Sequence, residues 1–134
     1  MKVFEKKQAS VIGVQRLTDR QSMTKYGNVY ARGAQGGRVY RVTKFVEKPS
    51  VEHVSPQGLI VGGMRYILTK DIWPILERQG QGKDGEIWMS DAANTLAQKK
   101  PFFAYEYEGQ YFDTGDKIAL LKTAIHFAKK EGLL

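Results

Sequence analysis

Two stretches of the chain, Asn28-Val29-Tyr30-Ala31 and Arg38-Val39-Tyr40-Arg41-Val42, alternate apolar and polar side chains, the period-two mark of half-buried strands. Between them, Gly33-Ala34-Gln35-Gly36-Gly37 supplies glycines that accept positive φ, so the pair is expected to form a hairpin. Two longer apolar runs, residues 9–15 (ASVIGVQ) and 58–69 (GLIVGGMRYILT), have the character of buried strands. Residues 44–49 close on Pro49, which stops a strand there. Helical spacing is visible in four places. Residues 3–8 look like the last turns of a helix that starts upstream. Asp71 is placed to cap a helix through Ile72, Ile75 and Leu76, with Pro74 in the first turn, where a missing N–H costs no intrahelical bond. Met89, Ala92, Ala93 and Leu96 form an apolar stripe with Ser90 or Asp91 as cap, and Ile118, Leu121, Ile125 and Ala128 predict the inward face of a last helix ended by Gly132. Residues 102–107 and 110–112 flank Glu108-Gly109 as a second hairpin, while residues 18–25 and 80–85 are loop-like. This order predicts an α/β fold leaning to α+β, a mixed sheet with hairpins and flanking helices, in one domain over residues 1–134.

Composition narrows the class. With 134 residues, 42% of them apolar and 26% charged, the chain can bury one core without covalent staples. It has no cysteine, which excludes disulfides, thiolate nucleophiles and cysteine-based zinc sites. No apolar run approaches the roughly 18 residues of a membrane span, and the first residues do not resemble a signal peptide. A cytoplasmic protein with no membrane partner is expected. Lys and Arg number 21 against 14 Asp and Glu, a net charge of +7 that favours anionic partners: nucleic acid, a membrane surface or a phosphorylated metabolite. The basic residues are dispersed. Their closest approach to a nucleic-acid patch interleaved with aromatics is Lys25, Tyr26, Tyr30, Arg32, Arg38, Tyr40 and Arg41.

Little in the chain suggests nucleophilic chemistry. His53 and His126 are far apart, and no Ser/His/Asp set or metal triad is legible. Glu47-Lys48-Pro49 sets an anion beside a cation at a strand end, where a carboxylate can accept sugar hydroxyls and an ammonium can neutralise phosphate. The alternative is an exposed ion pair worth little. Phe112-Asp113-Thr114-Gly115-Asp116 leads from an aromatic segment into a helix. A carboxylate there can hold Mg²⁺, which takes one or two carboxylates plus phosphates, or can simply cap the helix.

Taken together, the segments resemble a known family. The order ASVIGVQ, Tyr26-Gly27, Val46-Glu47-Lys48-Pro49, Arg65-Tyr66-Ile67-Leu68-Thr69, Gly85-Glu86-Ile87-Trp88-Met89-Ser90-Asp91-Ala92 and Phe112-Asp113-Thr114-Gly115-Asp116-Lys117 is similar to the C-terminal half of bacterial UTP–glucose-1-phosphate uridylyltransferase. That family reads V-E-K-P, G-R-Y-V-L-T, G-E-I-Q-L-T-D-A and Y-D-T-G-D-K in the same order. The resemblance implies the second half of a Rossmann-like nucleotidyltransferase fold. It implies that Glu47 binds sugar hydroxyls, that Lys48 binds the phosphate of glucose 1-phosphate or UDP-glucose, and that Gly27 offers backbone close to the sugar. Glu86 and Asp91 would shape the site wall, and Asp113 would be one of two Mg²⁺ carboxylates. Where the family has S-N-L-A-I-V-G-R-Y, this chain has Gly58-Leu59-Ile60-Val61-Gly62-Gly63-Met64-Arg65-Tyr66, so either Gly62 or Gly63 is the glycine that faces the sugar.

The family's nucleotide-binding half has no counterpart in these residues, and no catalytic set is complete. The chain alone is therefore expected to lack turnover. It would contribute the sugar-phosphate side and part of a Mg²⁺ site to UDP-glucose synthesis, with a separate N-terminal half. The alternatives are an inactive sugar-nucleotide-binding or self-assembling remnant and, least supported, a basic nucleic-acid-binding module. Without the other half, residues 9–15 and 58–69 would leave an open strand edge and an apolar face of Val11, Ile12, Val14, Leu59, Ile60 and Val61. A homodimer covering that face, or pairing with the separate half, is the expected remedy.

Overall fold

The computed structural model describes residues 1–34, 37–81 and 85–134, with nothing said of the Ala34 side chain. Five strands, β1 (Ser10–Arg16), β2 (Asn28–Ala34), β3 (Val39–Val46), β4 (Leu59–Ile67) and β5 (Phe102–Glu106), close into a barrel in the order β1-β4-β2-β3-β5. β1 lies parallel to β5 and antiparallel to β4, and β3 is antiparallel to both β2 and β5. The sheet is thus mixed, as expected, and β2–β3 is the expected hairpin. Its turn at 33–37 includes residues 35 and 36, and the loop at 80–85 includes 82–84, all of which lie outside the described residues. Helices α1 (Lys2–Lys7), α2 (Arg20–Met23), α3 (Trp73–Arg78), α4 (Met89–Lys99) and α5 (Lys117–Lys130) flank the barrel.

Closure explains the core. Ile12 and Val14 of β1, Val29 of β2, Val42 of β3, Leu59 of β4 and Phe102 of β5 meet inside, joined by Ala92, Ala93 and Leu96 of α4. Phe45 and Phe102 pack edge to face at 5.2 Å, an arrangement aromatic quadrupoles favour. On the outer surface, α1 covers Ala9, Val11 and Phe103. One end of the barrel is tied by charge: Arg16 Nε and Nη2 donate to Glu106 at 3.0 and 2.8 Å, and the Tyr40 hydroxyl donates to Glu106 Oε2 at 2.7 Å. These bonds hold the Glu106 carboxyl below the usual carboxylate range and raise Arg16.

Several expectations are corrected. The open edge does not exist for β1, which has β4 on one side and β5 on the other. Val11 is buried under α1, Ile12, Val14 and Leu59 inside the barrel, and Ile60 against Met23 and Val54, while Val61 is half-buried beside the core, so they give no reason for two copies to pair. The second hairpin does not form. Both edges of β5 are taken by β1 and β3, leaving residues 110–112 no strand to join. Gln15 pins them elsewhere, donating to Gly109 O at 2.6 Å and accepting from Tyr111 N at 2.9 Å. The loop at 18–25 contains α2, capped by Asp19, whose Oδ2 accepts from Ser22 N at 2.8 Å. Asp71 sits in a 3-10 turn ahead of α3 and accepts from Thr69 Oγ1 rather than capping the helix. Trp88, not Ser90 or Asp91, is the N-cap of α4, without a side-chain cap bond. Finally, Ile118, Leu121 and Ile125 of α5 do not face inward: they are 62%, 57% and 38% exposed.

Candidate functional site

β4 makes the site by leaving its neighbours. Its ladder with β1 runs through Leu59, Ile60 and Val61, breaks, and resumes at Tyr66, so that Ile12–Val14 of β1 spans Tyr66–Val61 of β4. The excess residues form a wide bulge at Gly62-Gly63-Met64-Arg65, with Gly63 at φ +67 and Met64 at φ +47. On its other side β4 pairs with β2 only at Asn28↔Ile60, extended by Val61 N donating to Gly27 O at 2.8 Å. Beyond that point the strands separate and a cleft of about 680 Å³ opens.

Each wall has an identifiable support. Tyr26-Gly27 are held by the fully buried Asn28, whose Nδ2 donates to Met23 O at 2.8 Å and Tyr26 O at 2.9 Å. Its Oδ1 accepts from Ser55 N at 2.9 Å, so all of this amide's work is backbone shaping. Glu47 and Lys48 follow the end of β3. Lys48 adopts φ +40, a left-handed turn that a side chain enters only under strain, just before Pro49. A Cβ at Gly27 would stand 2.9 Å from Glu47 Oε2 and 3.2 Å from Val61 Cγ2, so the glycine is what lets the carboxylate lie against the backbone. Glu47 and Lys48 are not within ion-pair distance of each other; the described pairs lie elsewhere, at Arg16–Glu106, Arg38–Glu108, His53–Glu52 and Lys100–Asp71. Across the cleft, Trp88 Nε1 donates to Glu86 Oε2 at 3.1 Å, and Gln79 Nε2 donates to Trp88 O at 2.9 Å.

Asp113 closes the lip. Its Oδ1 accepts from Gly115 N at 2.9 Å and its Oδ2 from the Tyr26 hydroxyl at 3.2 Å, while Tyr26 and Tyr111 meet edge to face at 6.4 Å. Burial raises the Tyr26 phenol, helped by the neighbouring Asp113, so the hydroxyl stays a donor. Tyr66 is pushed up to about 12 by burial and by Glu47, so it too is neutral over the working range.

The cleft therefore brings together Gly27, Glu47, Lys48, Gly63, Glu86 and Asp113. Gly62 is turned away: a Cβ there would strike the Tyr107 hydroxyl at 2.6 Å, on the far side of the strand. Of the two glycines left open by sequence, Gly63 is the one on the cleft. Asp91 is exposed on α4 and outside the cleft, which reaches only Ser90. Asp116 is the helix cap, its Oδ1 accepting from Ala119 N at 2.8 Å, which leaves Asp113 free of that task. Lys25, Tyr66, Trp88 and Tyr111 also line the cleft; the sequence offered Lys25 only as part of a basic patch, Tyr66 and Trp88 only as members of motifs, and Tyr111, a lone aromatic beside a short motif, carries no periodic signal. A second cavity of about 610 Å³, between α1, β1, β4 and β5, is mostly apolar and contains none of the anticipated residues.

No group of three or more His, Cys, Asp or Glu among the described residues could by itself hold a metal. Asp113 remains suited to a shared Mg²⁺ site, because each of its oxygens accepts one hydrogen bond and keeps a lone pair, and Mg²⁺ commonly combines a single carboxylate with phosphate oxygens.

A family model described as Nucleotidyl transferase matches residues 1–130. The UTP–glucose-1-phosphate uridylyltransferase 2 of Staphylococcus saprophyticus is 38% identical over 131 residues, covering 98% of this chain and 44% of that enzyme. The Staphylococcus epidermidis UTP–glucose-1-phosphate uridylyltransferase is 37% identical with the same coverage. Among solved structures, a UDP-glucose pyrophosphorylase complexed with UDP-glucose superposes with a TM-score of 0.86 at 32% identity, over 96% of this chain and 47% of that one. The UTP-bound enzyme from Acinetobacter baumannii gives 0.76 at 29%, over 96% and 43%. The chain thus spans a little under half the length of the proteins it matches. With the family model spanning almost every residue and the fold following its solved members, the chain belongs to the nucleotidyl transferase family.

Proposed function

We propose that the chain is the sugar-phosphate side of a uridylyltransferase that makes UDP-glucose, and that it requires a nucleotide-binding half to turn over. In this reading it is one domain, the C-terminal half of a Rossmann-like nucleotidyltransferase fold. The observation that carries it is the meeting of Gly27, Glu47, Lys48, Gly63, Glu86 and Asp113 in one cleft from five separate segments of sequence. In the whole enzyme's reaction, a phosphate oxygen of glucose 1-phosphate attacks the α-phosphorus of UTP. The bond to the bridging oxygen breaks, and pyrophosphate leaves. Catalysis of that kind is positioning plus neutralisation of charge.

Each residue has a role that its surroundings support. Glu47, seated against Gly27, accepts hydrogen bonds from sugar hydroxyls. Lys48 presents a cation to the sugar phosphate from a strained turn that fixes its backbone. Gly63, bare of side chain, leaves the β4 wall open to the sugar, and Glu86, held by Trp88, bounds the opposite wall. Asp113 would hold Mg²⁺ with phosphate oxygens, and the Tyr26 hydroxyl and Gly115 N–H fix its orientation. When bound, Mg²⁺ supplies positive charge to the phosphates.

Titration with UDP-glucose, followed by calorimetry or NMR, tests the reading. One charge-assisted contact contributes about 1.5–3 kcal/mol, so half a site should bind in the millimolar range and Lys48→Ala should weaken it about tenfold or more. No response, or equal responses from the two proteins, would overturn the proposal. Mixed with UTP, glucose 1-phosphate and Mg²⁺, the pure chain should release no pyrophosphate. Formation of UDP-glucose that Asp113→Ala abolishes would show that a second half is unnecessary.

A further inference from the structure

A pyranose is polar around its edge and apolar on its faces, where the C–H bonds lie. The charged residues of the cleft, Glu47, Lys48 and Asp113, can meet only hydroxyls and phosphate. The same cleft also contains an apolar strip, Ile87-Trp88-Met89, directly after Glu86. It stands where the family motif G-E-I-Q-L-T-D-A has isoleucine, glutamine and leucine, so Trp88 is the change in kind: a broad flat ring in place of a polar chain. Helix capping does not explain it. Trp88 is the N-cap of α4, a position that favours serine, threonine, aspartate or asparagine, and it makes no side-chain cap bond. Its backbone is nonetheless pinned, the carbonyl accepting from Gln79 Nε2 at 2.9 Å, Asp91 N at 3.2 Å and Ala92 N at 3.4 Å. The polar edge of the indole is engaged too, Nε1 donating to Glu86 Oε2 at 3.1 Å. Its faces are not. The ring–ring and ring–cation contacts among the described residues all belong to other side chains. A half-buried indole held by its edge in a polar cleft is a stacking surface.

We infer that Trp88 is the platform on which the pyranose ring of the sugar phosphate or sugar nucleotide stacks, a specificity-determining residue absent from the family motif, which rests on the function proposed above. The sugar lies with a C–H face on the indole while its hydroxyl edge meets Glu47 and its phosphate meets Lys48. Glu86, tied to the ring edge through Oε2, stays beside the stacked sugar. The substrate class narrows accordingly to phosphates carried by a pyranose. An acyclic phosphate of the same charge satisfies Lys48 but offers Trp88 no face, so charge alone does not select the ligand.

The test is an NMR titration of the full chain with glucose 1-phosphate and UDP-glucose, and with glycerol 3-phosphate and UDP as probes that carry the charge without the pyranose. Stacking puts sugar C–H protons over the indole, so the glucose ring protons should move upfield on binding. In Trp88→Leu that shift should vanish and the affinity for both glucose ligands fall about tenfold, with the melting curve unchanged. Trp88→Phe keeps a flat face and drops the Nε1 donor, so it should retain most of the affinity and an upfield shift. A loss in Trp88→Phe as complete as in Trp88→Leu would mean that Trp88 only positions Glu86, and would overturn the inference. The chain has two tryptophans, and Trp73 is 64% exposed on α3, so Trp73→Phe leaves Trp88 as the sole emitter. Its fluorescence should respond to glucose 1-phosphate and stay flat with glycerol 3-phosphate; no response to the first, or equal responses to both, would sink the inference. Equal weakening of UDP and UDP-glucose by Trp88→Leu would assign the ring to the base or the phosphates instead. The cleft is judged separately. UDP-glucose binding that survives Trp88→Leu but falls in Lys48→Ala defeats the platform alone. Upfield-shifted binding that is indifferent to Lys48→Ala defeats the role proposed for Lys48 alone, and a wild-type chain that binds neither glucose ligand defeats both.

Discussion

α4 and α5 carry the same kind of amphipathic repeat and meet opposite fates. α4 lies against β3 and buries Ala92, Ala93, Leu96 and Ala97. It also satisfies the part of β3 that β5 does not reach: Asn94 Oδ1 accepts from Phe45 N at 3.0 Å, and Gln98 Nε2 donates to Thr43 O at 2.7 Å. α5 has a broader apolar face with larger side chains and buries none of them. Helical periodicity therefore states that a face will be covered without stating by what. For α4 the cover is this chain's barrel, whereas Ile118, Leu121 and Ile125 of α5 stay exposed.

The contrast is most exposed by paired truncations. Leu96→Ala removes a side chain that is 1% exposed from the centre of the core and should cost about 2–5 kcal/mol in urea unfolding. Leu121→Ala, chemically the same change on α5, should shift the isolated chain by no more than about 0.5 kcal/mol. Equal costs would mean that α5 is packed in solution.

The charged tie at the barrel end should have a smaller, pH-dependent effect. Glu106 has a carboxyl lowered in the fold, so it stabilises above its unfolded value and loses that contribution as pH falls through its native one. Both partners are partly exposed, which limits the expected loss in Glu106→Gln to about 1 kcal/mol at neutral pH. The gap between variant and wild-type midpoints should close on acidification, and a constant gap would assign the effect to packing.

At the cleft the effect should fall on binding more than on stability. In Gly27→Ala the new methyl meets the flexible end of Glu47, so unfolding should move by less than about 1 kcal/mol while UDP-glucose affinity falls. A variant with affinity intact would remove Glu47 from the sugar's surroundings.

Much of the site was legible because it is built of short contiguous motifs. Glu47-Lys48-Pro49 follows a strand, and Asp113 precedes a capped helix, both visible as local chemistry. Tyr26 was legible only as a neighbour of Gly27 and as one of the aromatics among the dispersed basic residues. Its bond to Asp113 joins residues 87 positions apart, and nothing local in either segment announces it. Asn28 likewise passed as an ordinary strand residue, because the loops it fastens are brought to it by the fold. The choice of Gly63 over Gly62 needed the bulge, since in a regular strand side-chain alternation alone would decide and the bulge interrupts it.

Residue order alone determined that this chain has strands at its alternating and apolar runs, helices at its spaced stripes, and an acid and a cation side by side in sequence before a proline. Those features depend on backbone preferences and periods that act over a few residues. It took the tertiary structure to decide that the sheet closes on itself, because closure depends on β1 lying between β4 and β5, a pairing between distant segments. That closure buried all but Val61 of the apolar residues expected to lie open and denied β5 a hairpin partner. It also parted β4 from β2 to leave a cleft, and left the apolar stripe of α5 facing outward.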